Sequence, residues 1–232
     1  MKTLFSFVLS IAVCGVAVAA EGGKEVERLE QSAEVINEIM KTPEQGIPKD
    51  LLNKSVCVGV IPSQKKIALG LGGSYGRGCL ICRQGGTGAW GAPWMFAIGG
   101  PSLGFQIGGQ ATDFVLLVLN ASGAEKLVKG KTKLGADASV AGGPVGRTAE
   151  GSTGALMQTE ILTYSRSRGA FAGLSLEGQV IKDDSTANEN LYGKKLGAKE
   201  ILFTNTAVPG AAKPLAAALA TYSPHGGEPF KK

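Results

Sequence analysis

Tyr164, Arg166 and Arg168, at alternate positions, are the residues of this chain best placed to meet an anion. In an extended strand they project from one face, and Thr163, Ser165 and Ser167 from the other. Gly169 reads as a tight turn or bulge and Ala170 to Leu176 as a second extended run, so the stretch forms a β-hairpin. Arginines that close together on a solvent face repel one another unless an anion meets them. Each guanidinium can donate two parallel hydrogen bonds to a phosphate. Tyr164 beside them reads as an apolar anchor, and the alternative is an ordinary hydrated strand face. A second tier of cations comprises Arg77, Arg147 and the series Lys126, Lys129, Lys131 and Lys133. For Arg77 and Arg147 the competing reading is an ion pair with a carboxylate such as Asp113 or Glu150. For the lysines it is a solvated helix face.

Groups for covalent or acid–base chemistry are scarce. Gly72-Gly-Ser74-Tyr-Gly76 matches a nucleophile elbow by letter, but a strand follows where a helix is needed. The only histidine that could activate that serine is His225, in the C-terminal tail. Gly86-Thr-Gly88-Ala-Trp-Gly91 matches a dinucleotide fingerprint, yet Ala92-Pro93 follows and no helix opens there. Gly130-Lys131-Thr132 resembles the end of a phosphate loop, with Glu125 where the first glycine belongs. Asp183 and Asp184 could hold a cation, although a solvated loop is the commoner use of such a pair. No cofactor, metal centre or nucleic-acid partner is expected, and the chain reads as a binding protein and not an enzyme.

Composition and address narrow the class. The 232 residues allow one domain with an appended helix, and 35 glycines with few aromatics argue against a helical bundle. Lys2, the apolar run Leu4 to Ala17 and the small residues Val18-Ala19-Ala20 form a signal peptide over residues 1–20, so the mature chain is exported, periplasmic or secreted. Lipidation at Cys14 fits less well, because Val13 is bulky and apolar sequence continues past the cysteine. After cleavage Cys57, Cys79 and Cys82 remain, an odd number. Cys79 and Cys82, three apart in a strand, face opposite sides and cannot bridge naturally. Cys57 pairing with one of them is the alternative to the favoured reading, three small core hydrophobes. Residues 21–45 carry seven Glu against three basic residues, a balance of −4, whereas 46–232 carry 20 basic and 12 acidic residues, +8. A basic body favours an anionic partner.

The elements that position these groups can be read in order. Val26, Leu29, Ala33, Ile36 and Met40 recur at helical spacing from about Lys24 to Lys41, closing at Thr42-Pro43; residues 21–45 are this acidic amphipathic helix. A short helix enters through Pro48. Strands follow at Val56–Ile61, ended by a Pro62-Ser63 turn, at Ile67–Leu71, and, beyond the glycine run Gly72–Gly78, at Cys79–Arg83. Phe96–Ile98, Leu103–Ile107 and the central Phe114–Leu119 continue the pattern; Ser122 to Glu125 reads as a capping box for a helix over Ala124–Lys129. Strand-like segments lie around Leu134–Val140 and Leu156–Tyr164. After the hairpin come a polar loop over Lys182–Asn190, a helical turn near Tyr192, an edge strand at Ile201–Phe203, a helix at Leu215–Leu219 and a frayed tail from Ser223. The fold class is α+β: a predominantly antiparallel β domain over residues 46–210, sandwich or partly closed barrel, with N-terminal and peripheral helices, followed by a helix and tail over 211–232.

Five segments in order, Gly72-Gly-Ser-Tyr-Gly-Arg-Gly78, Ser102-Leu-Gly-Phe-Gln-Ile-Gly108, Ala111-Thr-Asp-Phe-Val-Leu-Leu-Val118, Leu134 to Gly146 and Tyr164 to Gly178, together resemble the SYLF domain, also called the Ysc84 actin-binding domain. The resemblance runs from about Ile47 to Phe203. It implies a non-enzymatic module that binds phosphoinositides or other anionic phospholipids at a membrane surface. Fungal and animal relatives carry SH3 or FYVE domains and act in actin-linked traffic; bacterial relatives are often exported. The signal peptide, the lack of a partner domain and the acidic leading helix depart from the eukaryotic pattern and argue against actin as a partner. The expected function is therefore recognition of anionic lipid headgroups through an Arg/Lys surface. The alternative is a cell-envelope structural or assembly protein that binds a protein partner.

Overall fold

Runs of alternating apolar residues separated by short helical stretches build one curled, mostly antiparallel eight-stranded sheet, half closed into a barrel, with helices packed on it. The α+β expectation holds. The structure, a computed structural model, describes residues 23–41, 46–104, 109–145, 158–167, 170–173 and 176–230. In chain order the elements are α1 (Gly23–Met40), α2 (Lys49–Lys54), β1 (Cys57–Arg83), β2 (Trp90–Gly104), β3 (Gly109–Val118), α3 (Ala121–Leu127), β4 (Lys131–Lys133), β5 (Val140–Gly142), β6 (Ile161–Ser167), β7 (Ala170–Gly173), β8 (Val180–Asp183), α4 (Ser185–Tyr192), α5 (Ala198–Phe203) and α6 (Lys213–Tyr222). The strand order is β4-β8-β2-β1-β3-β6-β5, with β7 paired to β6. Only β5 against β6 is parallel among the described pairs.

The long strand β1 organises the sheet. Its first part pairs with β3 and its second with β2, and its two ends lie side by side, the Arg83 amide donating to the Val56 carbonyl at 2.8 Å. Pro62-Ser63 makes a bulge and not the expected turn: the register with β3 shifts between Ile61 and Gln64, and Ser63 takes φ 54°. The Ser63 amide donates to Asp113 Oδ1 at 2.8 Å. Gly72–Gly78, expected to separate two strands, stays paired with β2 throughout. Absence of a side chain is what allows it, since a Cβ on Gly78 would come 2.4 Å from the Val60 carbonyl oxygen.

Alternation along β1 sorts side chains into two cores. Val58, Val60, Cys79 and Ile81 join Leu117, Leu162 and Tyr164 under α1 and α6, whose Leu29, Ile36, Ile39, Leu215 and Leu219 are buried. Burying each of those large side chains contributes about 1.5–3 kcal/mol. Cys57, Leu80, Cys82, Phe96, Leu116 and Ile161 line the inner face with Trp94, Ile181, Ile201 and Leu202. Cys79 and Cys82 thus face opposite sides, as strand geometry requires. The favoured reading of three free cysteines is corrected: Cys57 and Cys82 are bridged (S–S 2.04 Å), and only Cys79 is free among the described cysteines.

The later chain departs further from expectation. Residues 182–190 close β8 and enter helix α4, and Ile201–Phe203 belongs to helix α5, entered through Gly197. Both are short, amphipathic and held by burial of Ala187, Ile201 and Leu202, a tertiary effect that local propensity does not carry. α3 is capped by Asn120, whose side chain accepts from the Gly123 amide at 2.8 Å, and not by Ser122. The tail is docked, not frayed. Ser223 is fully buried and accepts from Arg83 Nη2 at 2.6 Å, while the Gly227 and Phe230 amides donate to the Asn53 and Gly85 carbonyls.

Candidate functional site

Cross-strand register decides which cations share a surface, because directly paired residues in neighbouring strands point to the same side. Arg77 pairs with Ala97, Ala97 with Lys182, and Lys182 with Lys131. A second row runs Tyr75, Gly99, Val180, Lys133. Between the two rows lie Gly76, Ile98, Ile181 and Thr132, all buried, so the outer rows face solvent on the opposite side. At a strand spacing of about 4.8 Å, the row from Arg77 to Lys131 spans roughly 14 Å. The result is a floor of the half-buried Ala97, Gly99 and Val180 edged by Arg77, Lys182, Lys131 and Lys133. Lys131, Lys133 and Lys182 are exposed and make no ion pair among the described residues.

Tyr75 stands at one side of this floor, 52% exposed, the one exposed large apolar side chain among the described residues. Its hydroxyl accepts from Arg77 Nε at 2.9 Å. That bond and the Asp184 carboxylate, 3.6 Å from Arg77, raise the guanidinium further above its ordinary value and fix its position. Asp184 also pairs with the buried Arg28 of α1 at 3.3 Å, which ties the floor to the helix. Beyond Tyr75 a cavity of about 290 Å³ opens between α1 and β1, with Lys24, Arg28, Lys65 and Arg77 among its lining residues and Glu27 as the opposing charge. The bulge residue Ser63, held in the left-handed region, shapes its wall.

Of the expected primary site, two members lie among the described residues, Tyr164 and Arg166, and neither is free to meet an anion. Tyr164 is fully buried in the core beneath α1, its hydroxyl without a hydrogen-bond partner among the described residues, and so cannot anchor to anything outside. Burial raises its pKa well above the ordinary tyrosine value. Arg166 is engaged: Nε and Nη2 donate to Asp113 Oδ2 at 2.9 and 2.6 Å, and Glu38 of α1 pairs with its other nitrogen. The alternation holds for Tyr164 and Arg166, but that strand face meets a helix. Arg168 and Arg147 lie outside the described residues, as does Glu150. Arg77 has Asp184 for its carboxylate, and Asp113 belongs to Arg166. Lys126 is committed to Glu160, donating to Oε1 and Oε2 at 2.7 and 2.8 Å. Lys129 is exposed at the end of α3, and Lys131 and Lys133 are on edge strand β4, not on a helix face.

Lys182, Tyr75, Lys65 and Lys24 were missed. Their signal was Tyr75-Gly-Arg77, a period-two pattern inside a glycine run taken for a loop, and Lys182 inside residues also taken for a loop. Asp183 and Asp184, considered for a cation, are used by donors. Asp183 Oδ1 accepts from Trp94 Nε1 at 2.6 Å and Asn188 Nδ2 at 3.0 Å.

Residues 99–222 match the family model Ysc84, described as "Las17-binding protein actin regulator". The SH3 domain-containing protein PJ696.02 of Schizosaccharomyces pombe is 36% identical over 159 residues, 67% of this chain and 37% of that protein. LAS seventeen-binding protein 3 of Saccharomyces cerevisiae is 36% identical over 176 residues, 74% of this chain and 38% of its own length. The human SH3 domain-containing YSC84-like protein 1 is 32% identical over 174 residues, 75% and 50%. The chain therefore matches half or less of each of these relatives.

Proposed function

This chain belongs to the Ysc84 (SYLF-domain) family, and we propose that it is a non-enzymatic module that binds anionic lipid headgroups through the Arg77–Lys182–Lys131–Lys133 floor, with Tyr75 as the interfacial anchor. The observation that carries this reading is the direct pairing of Lys131 with Lys182. Like charges directly opposite in an antiparallel pair cost up to about 1 kcal/mol unless something anionic meets them. Here Lys133, two residues along β4, extends the same face and adds to that repulsion. Near an anionic membrane each such lysine contributes about 1 kcal/mol, so the three without an ion pair supply on the order of a hundredfold in affinity. Tyr75, apolar in body and polar at its tip, suits the headgroup boundary.

The test compares wild type with Lys131→Gln/Lys182→Gln in co-sedimentation with phosphatidylserine-containing and pure phosphatidylcholine vesicles. Both lysines are exposed, so the fold should survive within about 0.5 kcal/mol. Binding to the anionic vesicles should weaken roughly 30-fold, and neither protein should bind the neutral ones. Undiminished binding by the variant would refute the floor as the site.

A second reading rests on the family description and the relatives' names, which point to protein partners and to actin. An acidic protein surface would satisfy the same lysines. Wild type that ignores anionic vesicles yet co-sediments with actin filaments, in a manner weakened by the same substitutions, would replace the lipid reading with this one.

A further inference from the structure

The fold chooses one partner for Cys82 out of two that the unfolded chain offers. Cys79 lies three residues before Cys82, whereas Cys57 is separated from it by 25. Chain entropy alone favours the nearer encounter over the farther one. In the folded protein Cys79 faces the helix layer, its thiol donating to Ser32 Oγ of α1 at 3.4 Å, while Cys57 and Cys82 meet on the inner face. Both bridged cysteines are buried, 0% and 1% exposed, beneath the residues that close the inner core. A soluble oxidant reaches neither sulfur once that core has formed.

We propose that Cys57 and Cys82 are an oxidative-maturation site: their bridge is made on the folding chain by exchange with a disulfide-bearing oxidant in an oxidising compartment, and folding withdraws Cys79 from that exchange. The Cys57 thiolate attacks the oxidant's disulfide, forming a mixed disulfide and releasing one oxidant thiol. The Cys82 thiolate then attacks the Cys57 sulfur, closing the bridge and releasing the second. Two electrons and two protons pass to the oxidant, which leaves as a dithiol. Disulfides form and persist in oxidising compartments and are rare where thiol pools are reducing, which agrees with the export expected from residues 1–20. Strand alternation enforces the pairing, because a Cys79–Cys82 bridge would turn one of the two cysteines out of its core. Burial also pushes the Cys79 thiol up to about 11, so little thiolate is available to attack the finished bridge.

Peptide mapping of the full chain reads this directly. Cells producing it are quenched in acid, and the protein is denatured in N-ethylmaleimide without reductant and cut with trypsin. The expected product joins the Ser55–Lys65 peptide to the Gly78–Arg83 peptide, with one maleimide, on Cys79. Maleimide on both Cys57 and Cys82 would overturn the proposal, since the pair would then be reduced in the cell. A looped, unlabelled Gly78–Arg83 peptide with label on Cys57 would overturn it too, by showing that Cys79 holds the bond. The Cys79→Ser chain should give the same cross-linked peptide in the same yield. A yield reduced several-fold would mean that Cys79 takes part in the exchange, contrary to its withdrawal.

Discussion

Tyr164 carries a hydroxyl that is fully buried and has no hydrogen-bond partner among the described residues, at a site so close-packed that a Cβ on Gly143 would fall 2.2 Å from its ring. A buried unsatisfied hydroxyl costs about 1–3 kcal/mol. Tyr164→Phe should therefore raise stability by about 1 kcal/mol in chemical denaturation and leave vesicle binding untouched. A loss of vesicle binding would restore the tyrosine to the site. Glu160 is the opposite case. Burial by itself would raise its pKa, but hydrogen bonds from Lys126, Ser122 and the Ser139 amide outweigh it and hold the carboxyl below its usual range. A carboxylate depressed by folding adds stability that is complete above its unfolded value, about 4.3, and is lost as pH falls through the lower folded value. Glu160→Gln should cost about 1–3 kcal/mol near neutral pH, with the gap to wild type shrinking below about pH 4. An unchanging gap across a pH series of urea melts would contradict this. The sequence carried the alternation of Tyr164, Arg166 and Arg168 but not their environment: both faces of β6 are covered near Tyr164, and period two alone cannot say what covers them.

The termini of elements were the hardest features to anticipate. Apolar periodicity located α1, the central strand β3 and α6, because each buries a full stripe or run. The glycine run of β1 and the polar residues 182–190 gave loop signals, and each turned out to be regular structure held by its neighbours. The C-terminal segment is the clearest example. Arg83 is fully buried with no carboxylate partner among the described residues; it lies 4.1 Å from the Trp90 ring and donates to the Ser55 and Ser223 carbonyls and to Ser223 Oγ. Burial lowers its pKa from the ordinary arginine value. Ser223 Oγ in turn donates to Asn53 Oδ1 at 2.6 Å, so one hydroxyl links α2, the end of β1 and the tail. Hydrogen bonds to a charged group contribute about 1.5–3 kcal/mol, so Ser223→Ala should destabilise by roughly that amount. A frayed tail would instead absorb the change within about 0.5 kcal/mol, and urea denaturation separates the two outcomes.

At the scale of the molecule, helices occupy the α1 side of the sheet over β1, β3 and β6, while the outer strands β8 and β4 leave a basic floor uncovered beside them. The uneven charge of the sequence anticipated a basic body and an acidic leading helix, and Arg77, Lys131 and Lys133 were named from charge alone. What joins them is the strand order β4-β8-β2-β1, which brings Arg77, Lys131 and Lys182, 51 to 105 positions apart in sequence, into one row. No local pattern encodes that order. The central claim is that this row meets anionic lipid, and charge-driven binding declares itself in its response to salt. The decisive measurement is the affinity of wild type and Lys131→Gln/Lys182→Gln for phosphatidylserine-containing vesicles across a salt titration. The floor predicts steep weakening of wild type with added salt, a flatter dependence for the variant, and convergence of the two at high salt. Equal affinities and equal slopes throughout would contradict it.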